Sequence, residues 1–364
     1  MVGIPRLVRI GHNGRMRATV KDVAKLAGVS PKTVSNVING VVFVRPETRA
    51  RVEQALAELD YVPNLSARGL RNGRSGMIAL ALPDLKRAYS AEITYLVVEL
   101  AHERGWGVQI EQTAAEPKRE FELLSKARAH LVDGLILNPV NLDDSAVMTA
   151  GPLPAVVLIG DVDQDVVSQV AIDNVAAARD MTQHLLAKGC RRIAAVGTPE
   201  IPRGSSGVGV LAGTADAPGT AASRLRTAGY RQALAEAGVP NDPELEINLD
   251  RWRPEGAATV VGKYLTEHEL PDAFFCFTDT IASGTLSALW SAGVVVPKQT
   301  LVAGFDNILE SQFMIPPLTT VDFDRREFVR SALDLLAERM ADKDAAPRRV
   351  MIPHRIVERA STTR

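Results

Sequence analysis

Two hydrophobic periods divide the chain: helical spacing over residues 19–59, then short continuous apolar runs alternating with helix-period stretches from residue 76 onward. Val20, Val23, Ala24 and Ala27 fall at i, i+3, i+4 and i+7, the stripe of one buried helix face. Thr19-Val20-Lys21-Asp22 has the Thr-x-x-acid form of a helix start, and Gly28 supplies a left-handed stop. Ser30 can cap a second helix, and Pro31 suits its first position. That helix turns Val34, Val37 and Ile38 inward and leaves Lys32, Thr33, Ser35 and Asn36 outside. Pro46-Glu47-Thr48 opens a third helix with Val52, Ala55, Leu56 and Leu59 on its core face, and Tyr61-Val62-Pro63-Asn64 stops it. Leu65 to Arg71 is a short, weakly helical run with an internal Gly69.

Beyond Ser75 the apolar runs are 77–82, 108–110, 134–137, 156–159, 193–196, 273–277 and 301–305. Runs of this length separated by helical spacing, such as Ile93, Leu96, Val97 and Leu100, predict buried strands in parallel sheets covered on both faces. A chain of 364 residues exceeds one core, so two or three domains are expected.

Charge sharpens the division. The first 74 residues hold 13 Lys and Arg against 5 Asp and Glu, while the rest holds 29 against 38. A basic head on an acidic body suggests a nucleic-acid-binding arm. Two short amphipathic helices joined by Gly28-Val29-Ser30 form a helix-turn-helix. Ser30, Thr33 and Ser35 can meet phosphates, and Lys32 and Asn36 can reach base edges in a major groove. The blander alternative is a helical pair with a merely solvated polar face.

Cys190 and Cys276 lie far apart in apolar surroundings, so neither a disulfide framework nor a cysteine metal site is expected, and a reducing compartment fits. Residues 1–17 contain arginines but no apolar signal core, and no stretch approaches membrane-spanning length. The expected location is the cytoplasm, without membrane association.

The run Thr19 to Asn39, TVKDVAKLAGVSPKTVSNVIN, resembles the head motif of the lac-repressor (LacI/GalR) family almost position for position. Tyr61 to Leu70, YVPNLSARGL, is similar to that family's hinge. The resemblance implies an all-α helix-turn-helix head on an α/β body of the periplasmic-binding-protein type. That body has two lobes of doubly wound parallel sheet and three crossovers, with a small-molecule effector held between the lobes. It divides the chain into a basic extension (1–17), a DNA-binding domain (18–63), a hinge (64–75) and an effector-binding and dimerisation body (76–364). By the same resemblance Pro31, Lys32 and Asn36 hold base-reading positions. Thr19, Ser30, Thr33, Ser35 and Asn39 face phosphates. Ala67 and Leu70 belong to the hinge, Leu70 as the leucine that wedges into the minor groove.

Weaker landmarks extend the likeness to the end of the chain. Arg226 and Asp306 match cleft residues that hold a ligand's polar groups, and Asp173 and Asp279 match further cleft-edge positions. Either of those last two taken alone reads equally well as a helix cap or a lobe salt bridge. Tyr89 can stack on a ligand, and Trp252 is a candidate aromatic platform, one residue out of the family's register. Where relatives carry Asn-Pro-Phe-Phe, this chain has Arg87-Ala88-Tyr89-Ser90, so Lys86 and Arg87 alter the charge of that rim. Residues 202–220 add a Gly/Ser/Ala/Pro-rich excursion whose Gly207-Val208-Gly209-Val210-Leu211-Ala212 is only a formal nucleotide-loop match.

The resulting expectation is a repressor acting as a homodimer on operator DNA under a sugar or sugar-derivative effector, with no cofactor or metal. An enzyme would need a catalytic constellation. The sequence shows no G-x-S-x-G elbow, no H-E-x-x-H, no P-loop, and no glycine fingerprint after its first strand. A sugar-uptake binding protein would suit the body, and the attached head argues against it.

Overall fold

The computed structural model describes residues 18–38, 43–61, 75–114, 116–128, 131–139, 155–160, 166–199, 221–249 and 252–363. The extension 1–17, Asn39, the hinge residues Ala67 and Leu70, and the 202–220 excursion lie outside these residues. The chain divides into two compact units, residues 1–72 and 73–364.

In the first unit α1 (Val20–Ala27), α2 (Pro31–Ile38) and α3 (Pro46–Glu58) follow the capping signals of the sequence. The Thr19 amide donates to Asp22 Oδ2 at 2.8 Å and the Asp22 amide to Thr19 Oγ1 at 3.4 Å, which closes a capping box. Gly28 ends α1 at φ 63°, a conformation only glycine adopts without a Cβ clash. The Thr33 amide donates to Ser30 Oγ at 3.1 Å and starts α2. Arg45 offers α3 no side-chain cap, and Pro46 occupies its first position, where a missing N–H costs nothing. Val23, Val34 and Val52 are fully buried where the three helices meet, with Ala24, Ala27, Val37 and Ala55 around them.

The second unit holds two six-stranded sheets. The first is built from β1 (Met77–Leu82), β2 (Gly107–Gln112), β3 (Gly134–Leu137), β4 (Val156–Ile159), β5 (Ser168–Ile172) and β11 (Arg349–Ile352). Its order is β2-β1-β3-β4-β5-β11, parallel throughout. The second contains β6 (Ile193–Thr198), β7 (Glu246–Asn248), β8 (Ala273–Cys276), β9 (Leu301–Phe305), β10 (Thr319–Phe323) and β12 (His354–Val357). It runs β7-β6-β8-β9-β10-β12, with only β12 antiparallel. Helices α4 (Ala88–Glu103), α5 (Pro117–Arg128), α6 (Asn174–Ala187), α7 (Ala221–Glu236), α8 (Pro254–Glu267), α9 (Asp279–Ser291) and α10 (Arg325–Ala341) connect the strands.

Both faces of the first sheet are dry along its inner strands β1, β3 and β4, which explains their uninterrupted apolar runs. Ile78, Leu80, Leu82, Ile136 and Val157 join the larger core, while Ala79, Ala81, Leu135, Leu137 and Val156 meet Leu123 and Leu124 of α5 on the other face. The sequence reading passed over β5 and β10 because each buries polar side chains. Ser168 and Gln169 are sealed in β5, where Gln169 Nε2 donates to the Gly160 carbonyl at 2.6 Å; Thr319, Thr320 and Asp322 are sealed in β10.

The chain crosses between lobes three times: through α6, through α10, and directly from β11 to β12. The fold is thus the two-lobed, doubly wound body on a helix-turn-helix head that the sequence leads one to expect. Close helix packing depends on Gly229 of α7, where a Cβ would collide with the Val175 carbonyl of α6. Gly229→Ala should lower the stability of the body by about 1–3 kcal/mol through overpacking. Gly262→Ala, on α8 with open space around it, should raise stability by about 0.5–1 kcal/mol. Thermal denaturation of both variants checks the pair; equal midpoints would contradict the packing account.

Candidate functional site

On the head, the polar face of α2 is presented as the sequence implies. Pro31 and Lys32 are exposed, and Thr33, Ser35 and Asn36 are partly so, at the flank of a helix whose opposite side is the core. Several hydroxyls already have partners. Thr19 Oγ1 donates to Asp22 Oδ2 at 2.7 Å, and that bond holds the Asp22 carboxyl below the usual carboxylate range. Ser30 and Thr33 share a hydrogen bond at 2.9 Å, which uses one of their two hydroxyl protons and leaves the other to donate elsewhere. The Thr19 hydroxyl proton is committed to the cap, so the phosphate-facing role expected for Thr19 would require that cap to open.

The body carries a cleft of about 910 Å³, counted with the solvent open to it, at the carboxyl ends of both sheets. From the first lobe come Pro83 after β1, Asn138 after β3, Gly160 after β4 and Ile172 ending β5, together with Arg87, Tyr89 and Ser90 at the start of α4. From the second come Arg226 of α7, Trp252, Thr278 and Thr280 at the start of α9, and Asp306 after β9. Phe323 closes β10, and its ring lies 6.4 Å from that of Tyr89. Loops beyond the carboxyl ends of parallel strands are where such sheets bind ligands, since chain reversals there open a crevice.

Arg226 is 5% exposed and fixed from several sides. Its Nε donates to Asn174 Oδ1 at 2.6 Å, its Nη1 to the Phe277 carbonyl, and its Nη2 lies 3.7 Å from Asp306 Oδ1. The guanidinium also stacks 3.5 Å over the Phe305 ring and 5.9 Å from that of Trp252. Asp306 holds φ 106° and Asn307 φ 49°, conformations that cost non-glycine residues about 1–3 kcal/mol each. Their loop is pinned: the Ile308 amide donates to Asp279 Oδ2 at 3.0 Å, and Arg359 donates to Asn307 Oδ1 at 2.7 Å.

Tyr89, Arg226, Trp252 and Asp306 are thus brought together. The other two expected cleft residues, Asp173 and Asp279, are placed outside the cleft lining. Asp173 is exposed at the amino end of α6, where its carboxylate accepts from the Ala176 amide at 2.9 Å; it is a helix cap and does not line the cleft. Asp279 is fully buried behind the cleft, accepting from Thr320 Oγ1 at 2.6 Å and from the Ile308 amide. Burial, then the neighbouring Asp306, push its carboxyl well above the usual range. Asn138, Thr280 and Phe323 were missed, although each stands at or just past a strand's carboxyl end, and that position was the signal available.

Among the described residues no group of three or more His, Cys, Asp or Glu could hold a metal, and no helix is long and apolar enough to cross a membrane. Cys190 and Cys276 are buried thiols that form no disulfide, and burial pushes the Cys276 thiol up to about 12.

A helix-turn-helix head carried on a two-lobed body with a charged cleft defines a class of DNA-binding regulators rather than an enzyme. Residues 19–64 match the model for bacterial regulatory proteins of the lacI family, and residues 182–362 that for the periplasmic binding protein-like domain. The chain is 31% identical over 353 residues to the HTH-type transcriptional regulator DegA of Bacillus subtilis (strain 168), covering 96% of this chain and 99% of that protein. A lac repressor dimer bound to operator and the anti-inducer ONPF superposes with TM-score 0.82 at 25% identity, over 96% of this chain and 100% of that one. The transcriptional regulator CelR in complex with cellobiose gives TM-score 0.67 at 28% identity, over 95% and 100%. The chain belongs to the LacI family and is a DNA-binding transcription regulator.

The buried Asp279 carboxyl sets a pH test. Its raised folded value means that its stabilising contribution is fully present below the ordinary carboxylate range and is lost as pH rises through that raised value. Wild-type stability should therefore fall relative to Asp279→Asn as pH increases over roughly pH 4 to 8. A constant difference in melting temperature across that range would contradict the assignment.

Proposed function

We propose that this regulator is a cytoplasmic repressor, active as a homodimer on a pseudo-palindromic operator. We further propose that a polyhydroxyl effector, a sugar or sugar derivative, controls it by binding between the lobes of the body. The observation that carries the effector reading is the Arg226–Asp306 pair, held at 3.7 Å in a cleft lined from both lobes. A fixed fork of donors beside a carboxylate acceptor suits vicinal hydroxyls, and the Trp252 ring supplies an apolar wall for the sugar face. The CelR complex with cellobiose supports a sugar, and the operator-bound lac repressor dimer supports both the dimer and the operator. A ligand touching both lobes can shift their equilibrium only through different affinity for two arrangements, so the residues that decide the response are those reaching it from opposite sides.

On the head, α2 is the element proposed for the major groove. Lys32 and Asn36, with Pro31 beside them, would read bases, while Ser30, Thr33, Ser35 and Asn39 would meet phosphates, with Thr19 at the edge. Ala67 and Leu70 are proposed as the hinge contacts in the minor groove. Asn36→Ala should cost about 1–3 kcal/mol on the cognate operator and relax preference at one base pair. Ser35→Ala should weaken all sequences alike. Titration of cognate and random duplexes checks both, and equal losses on the two duplexes for Asn36→Ala would remove it from base reading. In the body, Arg226→Lys keeps the charge and loses the fork. It should leave operator binding in place while blunting the effector's influence on it, and an undiminished response would remove Arg226 from the effector site.

A further inference from the structure

Among the described residues the cleft carries an excess of positive charge, and the excess resides on Arg87. This side chain lines the cleft directly ahead of α4. Its Nε is shielded from solvent and has no hydrogen-bond partner among the described residues, and its guanidinium forms no ion pair with any of them. Two carboxylates lie near enough to favour its charge, Asp84 and Asp306. Both are engaged elsewhere: Asp84 Oδ2 lies 2.9 Å from Arg253 Nη2, and Asp306 is the partner of Arg226. Among the described residues, three arginines therefore face two carboxylates at this rim. Burial works against the Arg87 guanidinium, and Arg226 and Arg253 repel it, yet an arginine does not give up its proton in a protein. A half-buried, hydrogen-bond-capable cation without an anion is an expensive arrangement unless something arrives to complete it.

We propose that the missing partner is carried by the effector: an anionic oxygen group, carboxylate or phosphate, that docks on Arg87. The effector is then an acidic sugar derivative rather than a neutral sugar. The proposal rests on the reading of the cleft as the effector site. The guanidinium fork matches two oxygens of one carboxylate or phosphate, and charge-assisted pairs of this kind are the stronger hydrogen bonds. The first turn of α4 begins beside it, so the positive end of that helix adds a favourable field for an anion. Across the cleft Arg226 and Asp306 remain for hydroxyls, with Tyr89 and Trp252 as the ring-facing walls. A neutral sugar would strip water from Arg87 and return nothing, so the site discriminates against it as well as for the acid.

The test is calorimetric titration of the full chain with matched sets: glucose, glucuronate and glucose 6-phosphate, then galactose, galacturonate and galactose 6-phosphate. The acidic members should bind at least about tenfold more tightly than their neutral parents, and the preferred acid separates a carboxylate from a phosphate source. Arg87→Gln should cost that acid about 10- to 100-fold and bring it to the level of its parent. Arg87→Lys, with charge but no fork, should fall between, and melting temperatures of the free variants near that of the wild type establish that both are folded. A neutral parent that binds as tightly as its acids, an acid indifferent to Arg87→Gln, or no binding by any member overturns the proposal. If a neutral sugar binds as tightly as its acids and Trp252→Ala weakens it, the cleft remains the effector site and only the anion is wrong. Binding untouched by Trp252→Ala and Arg87→Gln alike places the ligand outside the cleft and overturns both readings.

Discussion

Asp279 accepts hydrogen bonds from Thr320 of β10 and from the amide of Ile308 beyond β9, and it opens α9 itself. One buried carboxyl thereby joins three elements at the carboxyl edge of the second sheet. The two residues directly ahead of Ile308, Asp306 and Asn307, hold positive φ, a region uncommon for any residue but glycine. Without a carboxyl in that position the loop would have no reason to stay strained, and Asp306 would not stand opposite Arg226. Gly304 fits the same account, since a Cβ there would strike the Asp279 carboxylate. The cost of burying the group is met by its two donors, which a hydrophobic replacement would leave unpaired.

Periodicity made the architecture legible. The head's helices, their caps and their core side could be read residue by residue because each signal is local: a hydroxyl before a helix, a glycine after it, a stripe of valines. Most strands of the first sheet were equally plain, because a strand dry on both faces is a continuous apolar word. Of the strands that escaped, β5 and β10 bury Gln169, Thr320 and Asp322, whose hydrogen bonds go to residues outside their own strands. The site shows the same limit. Arg226 and Asp306 are 80 positions apart, and only their place in the family pattern linked them in the sequence. Asp173 and Asp279 have the same chemistry as Asp306, and nothing local says that one caps a helix, another holds a loop from behind, and the third faces the cleft.

The distribution of charge gives the two units different relations to a polyanion. The basic first 74 residues attract a phosphate backbone, and the acidic remainder is repelled by it. The body's few positive features near the cleft are therefore local exceptions in a negative field. Arg226 and Arg253 are each neutralised by a carboxylate. An acidic ligand must approach through that field, so salt should help its entry while hindering the attachment of the head to DNA. The same variable acts in opposite directions on the two binding events.

The third crossover has a consequence for how the molecule is made. β11 joins the edge of the first sheet beside β5, yet it is residues 349–352, synthesised after every strand of the second sheet except β12. A ribosome that has delivered the other five strands of that sheet must extend the chain by 180 residues beyond Ser168 before Arg348 can form its hydrogen bond to it. During that interval β5 is an exposed edge, able to pair with any strand that presents itself. The N-terminal lobe is first in order of translation yet waits for nearly the whole chain before its edge is covered, so that open edge is where nascent chains of this protein are exposed to pairing with one another.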